Sequence, residues 1–115
     1  MKQKEVKTEQ ALKRLVKEFM ADLTNELSFC KKIRVTKEVE SDGDIYVKVL
    51  DADSTCHIMT GAVADSVFDV IRYYRRHYYM SINYHLDTTN MVTKWGEKSA
   101  PVFVICFCKY EKEEA

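Results

Sequence analysis

Between Val70 and Met80 the chain reads VIRYYRRHYYM, with four tyrosines, three arginines and a histidine in eleven positions. Guanidinium groups beside tyrosine rings suit two kinds of work. They clamp phosphates and stack on unpaired bases, or they form the aromatic and cationic centre of a protein interface, where Tyr and Arg are enriched. On a helical wheel Val63, Val67, Val70, Ile71, Tyr74 and Tyr78 fall on one stripe, so two of the four tyrosines belong to a buried face. The side chains left outside are Arg72, Tyr73, Arg75, Arg76 and Tyr79, with His77 near the edge. The bland alternative is a solvated face on which Asp69 pairs with Arg72 at i,i+3 and Asp65 adds negative charge.

Charge balance orders these readings. Lys+Arg and Asp+Glu are equal at 18 each, so long-range attraction to a polyanion is weak, and nucleic-acid domains usually carry a basic excess. A protein partner is therefore the first reading of the Arg/Tyr face, and nucleic acid the alternative. Trp95, the single tryptophan, sits in TKWGEK beside Lys94. It is counted as a candidate anchor for a partner, with a core plug as the competing role.

Cys106 and Cys108 in ICFC point to the same side of a strand, and two thiols so spaced can share a metal. A zinc site normally needs paired sets at recognisable spacings, and Cys30 and Cys56 are isolated in sequence, so core packing is the expected role of the pair. His57 and His85 are the histidines that could in principle complete such a site. In DADSTCH, Cys56 and His57 are adjacent, and on a strand they point to opposite faces, so neither activates the other. Asp51 and Asp53 read as turn residues. The three glycines are isolated, which excludes glycine-rich phosphate loops, and no serine stands in a nucleophile-elbow context. The expectation is a protein with no catalysis, metal or cofactor.

The elements that position these residues follow from periodicity. Leu12, Leu15, Val16, Phe19, Met20, Leu23 and Leu27 recur at helical spacing, which predicts a helix from about Thr8 to Leu27 with Thr8 as N-cap. From Lys31 the period becomes two. Ile33, Val35 and Val39 mark one strand, SDGD at 41–44 a hairpin turn, and Ile45, Val47 and Val49 the next. TCHIMT at 55–60 reads as a third strand, and a second helix runs from near Ala62 to about Tyr79. MSINYHL alternates again, DTTN reads as a turn, MVTKW as a short strand and GEKSA as loop. Pro101 then opens a last strand that is apolar on both faces. Residues 1–7 and 111–115 read as solvated tails of one domain.

The expected fold is α+β in the order α-β-β-β-α-β-(β)-β, an antiparallel sheet with both helices packed on one face. The far face of the last strand, with Tyr46 and Leu50, would then expose an apolar patch that a two-fold homodimer covers. Without an apolar leader or membrane span in the sequence, the expected setting is the cytoplasm, with the cysteines as free thiols. The functional expectation is a small homodimeric protein-binding module of the adaptor, inhibitor or chaperone-like kind. A nucleic-acid-binding accessory protein is the alternative.

Overall fold

The computed structural model describes residues 3–30, 32–51, 61–93 and 96–108. The elements are β1 (Lys4–Glu5), α1 (Glu9–Glu26), β2 (Ile33–Val39), β3 (Ile45–Asp51), α2 (Gly61–His77), β4 (Tyr78–Tyr79), β5 (Ile82–Thr93) and β6 (Gly96–Phe107). This is the expected α+β fold. The strand expected at 55–60 lies outside the described residues, as does Trp95. No described helix is long and apolar enough to cross a membrane.

Helix α1 begins where capping chemistry says it should. The Thr8 side chain accepts from the Ala11 N–H at 3.0 Å, and Thr8 itself is extended, so one orphan donor of the first turn is satisfied. Its apolar stripe of Leu12, Leu15, Val16, Phe19 and Leu23 is buried. The second helix buries Val63, Val67, Val70, Ile71 and Tyr74. Both stripes meet one face of the main sheet at Ile45, Val47, Val49, Ile82, Phe103, Ile105 and Phe107.

That sheet has the order β2-β3-β6-β5, antiparallel throughout. The β2–β3 turn is the expected one. Gly43 takes φ +96°, which a side chain disfavours, the Glu40 N–H donates to the Asp44 carbonyl, and the Gly43 N–H donates to the Glu40 carbonyl.

The second hairpin corrects the expected turn at 87–90 and loop at 96–100. Strands β5 and β6 pair without interruption from Ile82↔Phe107 to Thr93↔Gly96. Composition suggested a turn at DTTN, but its two threonines are β-branched and sit well on a pleat, and the ladder to β6 supplies the pairing. Pro101 is tolerated within β6 because β3 pairing stops one register earlier, at Leu50↔Val102. Alternation along the ladder turns the proline nitrogen towards that vacated side, so no hydrogen bond is forfeited.

Two further expectations fail. The N-terminal segment is not a solvated tail throughout: β1 pairs in parallel with β4, Lys4 opposite Tyr78 and Glu5 opposite Tyr79, and Val6 is buried in the core. This pairing draws Tyr78 and Tyr79 out of the helix, which ends at His77 and not at Tyr79. The far face of the sheet is not the exposed apolar surface either. Val102 and Val104 are only 5% exposed and Ala100 1%, while Tyr46, Leu50 and Cys106 are half-buried. Each valine is flanked across the sheet, Val104 by Lys48 and His85, Val102 by Leu50 and Asp87. Among the described residues, the exposed large apolar side chains on the main sheet lie on the helix side, at Val39, Tyr84 and Leu86.

Candidate functional site

The Arg/Tyr stretch of α2 does not form one continuous patch. Arg72 pairs with Asp69 on the helix surface, as the i,i+3 spacing allows. Arg75 turns towards the sheet: its Nε and Nη2 donate to the Ile82 carbonyl at 2.8 and 2.5 Å, and its guanidinium lies 5.5 Å from the Tyr84 ring centre. Arg76 is exposed. Tyr79 is exposed on β4, beside Glu5. Tyr73 is 54% exposed and points to the other flank, where its ring meets His77 at 4.2 Å and Tyr74 at 5.5 Å. Two of the three arginines are therefore engaged within the fold, and the exposed tyrosines look in different directions.

What the sequence did not reveal is the neighbourhood of Tyr73. Helices α1 and α2 leave an open groove of ≈ 480 Å³ between them, lined by Asp22, Asn25, Glu26, Asp69, Val70, Tyr73 and Tyr74. Three carboxylates and an exposed tyrosine ring thus share one depression. Asp22 and Glu26 sit one turn apart on α1, a spacing that puts both on one face. Only the packing of α1 on α2 brings that face to Tyr73, so pattern reading on either helix alone misses it.

The floor of the groove is closely packed. Tyr74, 2% exposed, donates its hydroxyl to Asp22 Oδ2 at 2.5 Å. Its ring stacks on Tyr78 at 5.4 Å and meets Phe19 edge-on at 5.2 Å. Burial, then the Asp22 carboxylate, raise the Tyr74 pKa far above the ordinary tyrosine value, because both disfavour the phenolate. Tyr78 is raised in the same direction by burial and by Glu18.

A pH-dependent prediction follows. Unfolded Tyr74 ionises near pH 10, folded Tyr74 does not, so above pH 10 the unfolded state binds fewer protons and stability falls with rising pH. Tyr74→Phe is expected to cost about 1–2 kcal/mol near neutral pH, for the lost charge-assisted hydrogen bond. It should also lessen the alkaline decline by the Tyr74 share, leaving the shares of Tyr78 and of the Cys106 thiol, whose folded pKa values are raised too. Urea denaturation from pH 7 to pH 11 measures both.

A second exposed surface lies on β5. Tyr84 and Leu86 are 43% and 48% exposed and adjoin a ring cluster in which Phe68 meets Tyr84 at 5.0 Å and Phe103 at 5.5 Å. A third cluster is on the far face of the sheet, where Cys106 and Cys108 are half-exposed and do not join the helix-side core. Burial, then the neighbouring Cys108, push the Cys106 thiol up to about 11.

No family model, curated protein or solved structure matches this chain.

Proposed function

We propose that this chain is a homodimeric protein-binding module whose α1–α2 groove receives a basic segment of a partner protein. The observation that carries this reading is the lining of the groove. Asp22 and Glu26 line the groove with the exposed Tyr73 ring, while Asp69 is paired with Arg72, so the net field of the groove attracts a lysine or arginine side chain. A cation seated there gains ion pairing at the rim and contact with the face of an aromatic ring. The same tyrosine that in sequence looked like half of a nucleic-acid grip thus has an acidic setting. Arg72 is partly neutralised by Asp69, one of the lining carboxylates.

The test is a titration with an oligo-arginine peptide, followed by heteronuclear NMR. Shifts are expected to concentrate on Asp22, Asn25, Glu26 and Tyr73 and to shrink with added salt. Asp22→Asn with Glu26→Gln should weaken binding about tenfold, since two exposed ion pairs are worth roughly 0.5–1 kcal/mol each. If the peptide does not bind, or single-stranded nucleic acid binds with shifts on Arg72, Arg76 and Tyr79, the protein-partner reading falls.

The homodimer is supported by the difference between the two edges of the main sheet. Edge strand β2, IRVTKEV, carries Arg34, Lys37 and Glu38, the charges that commonly keep an edge from pairing. Edge strand β5, INYHLDTTNMVT, has no lysine, arginine or proline over twelve residues. Its exposed Tyr84 and Leu86 line the open edge. A second copy of β5, antiparallel about a two-fold axis at Leu86, would complete it.

A further inference from the structure

On the sheet face turned away from the helices, two thiols and a carboxylate converge at the end of β6 and the start of β3. Cys106 and Cys108 are two residues apart, so strand geometry sends both side chains to one side, and their Sγ atoms stand 3.6 Å apart. Asp44 immediately precedes β3. The register Ile45↔Phe107 places it across from Cys108, and ligand atoms of Asp44, Cys106 and Cys108 all lie within 4.8 Å of one another. The Asp44 backbone is fixed by the turn before it, with its N–H donating to Asp42 Oδ1 at 2.9 Å and its carbonyl accepting from Glu40 at 2.8 Å.

The sulfur spacing fits one kind of ligand. Two Zn–S bonds of about 2.3 Å at a tetrahedral angle put the sulfurs roughly 3.8 Å apart, so zinc requires a shift of only a few tenths of an ångström. Two sulfurs with one carboxylate exclude the all-oxygen preference of calcium and magnesium.

The surroundings supply an independent sign. Each sulfur faces a side-chain donor on a neighbouring strand. Tyr46 stands directly across from Cys106 on β3, and Asn83 Nδ2 lies 3.9 Å from Cys108 Sγ. Hydrogen bonds to ligating sulfurs favour the thiolate and orient it, as supporting partners do in established metal sites.

We propose that Cys106, Cys108 and Asp44 form a zinc site with three protein ligands and a fourth position open to water or to a side chain of a partner. On binding, each thiol gives its proton to solvent and two Zn–S bonds form, while the carboxylate completes the set. Two protons leave per zinc taken up, with no change of oxidation state. The ligands join β3 to β6 at the end of the sheet nearest the β2–β3 turn, so the ion would also pin that turn.

The test uses the full chain, reduced, with cobalt(II) as a spectroscopic probe and zinc in competition. One equivalent of cobalt is expected to give a thiolate-to-metal charge-transfer band and the visible bands of a tetrahedral ion, both erased by zinc. Cys106→Ser and Cys108→Ser should each weaken zinc binding by more than about tenfold, since losing even a supporting partner of a metal ligand costs that much. Asp44→Asn should weaken it less, and Cys30→Ser not at all. In the unmutated chain, zinc should slow alkylation of Cys106 and Cys108 and leave Cys30 reactive, a readout that needs no variant to fold. Absence of the charge-transfer band overturns the proposal. So does unchanged zinc affinity in the Cys106→Ser/Cys108→Ser double variant, or equal protection of Cys30.

Discussion

Phe19→Ala is expected to remove about 3–5 kcal/mol of folding stability, the range for deleting a fully buried phenylalanine. Phe19 is 0% exposed and is the side chain through which three elements meet. Its ring contacts Tyr74 of α2 edge-on at 5.2 Å and Phe107 of β6 at 4.8 Å. Truncation leaves a cavity between two helices and the central strand, and rigid ring neighbours cannot collapse into it. Domains of this size hold only about 5–15 kcal/mol in total, so the variant should sit close to its unfolding threshold at room temperature. Chemical denaturation of the two proteins gives the difference directly. Tyr73→Ala, at an exposed ring on the next helix, is the matched control and should change stability by no more than about 0.5 kcal/mol. A loss under about 1 kcal/mol for Phe19→Ala would mean that α1 does not pack on the sheet as described.

Phe19 also shows why much of the fold was legible. Its place in the stripe from Leu12 to Leu23 is a pattern internal to one helix, and the Thr8 cap is local chemistry. The same holds for the alternation of β2 and β3 around Gly43, and for the division of tyrosines on α2, with Tyr74 buried and Tyr73 exposed. Each of these rests on interactions within a few residues. The failures are of another kind. Val6 enters the core because Lys4 and Glu5 pair with Tyr78 and Tyr79, a two-residue contact across the length of the domain that leaves no periodic trace. Asp87 to Asn90 carry turn composition, yet ladder bonds to residues 99–102 hold them extended.

The candidate sites divide along the same line. Period two placed Cys106 and Cys108 on one side of a strand, but which side faces the helices depends on sheet register, so their place outside the core was not readable. Asp44 reaches them only through the pairing of β3 with β6. Tyr73 was singled out by type and exposure, whereas Asp22 and Glu26, its acidic neighbours across the groove, are exposed residues of α1 with nothing in their own sequence to distinguish them. On the helical wheel Arg75 falls on an outward face. Its guanidinium instead bonds the Ile82 carbonyl, because the start of β5 passes beneath that flank of α2. Sequence pattern names the residues on each surface. Packing decides which surfaces meet.

Leu86→Lys is expected to convert the proposed β5–β5 dimer to a monomer without unfolding it. Arg75 bonds the Ile82 carbonyl on the open side of β5, and Cys108 bonds the Ser81 carbonyl on the β6 side. Alternation along the strand therefore turns the backbone groups of Tyr84, Leu86 and Thr88 outward. A two-fold axis at Leu86 pairs Tyr84 with Thr88 of the second copy, and Leu86 with its own equivalent. On the opposite sheet face it sets His85 across from Asp87 of the second copy, twice, so the register is complementary in charge as well as shape. Burying the exposed half of two leucines is worth roughly 1.5–3 kcal/mol, and lysine at that position removes this and adds two facing ammonium groups. The dissociation constant should rise more than about a hundredfold. Because Leu86 is 48% exposed in the single chain, the monomer's own denaturation midpoint should be unchanged. Light scattering coupled to size exclusion, with the original chain and the variant at matched concentrations, reads the outcome. Reversal of the β2 edge charges, Arg34→Glu with Lys37→Glu, should leave the dimer intact. A dimer that survives Leu86→Lys but dissociates on those β2 changes would move the interface to the opposite edge, and a chain that is monomeric from the outset would leave β5 without the partner argued for it.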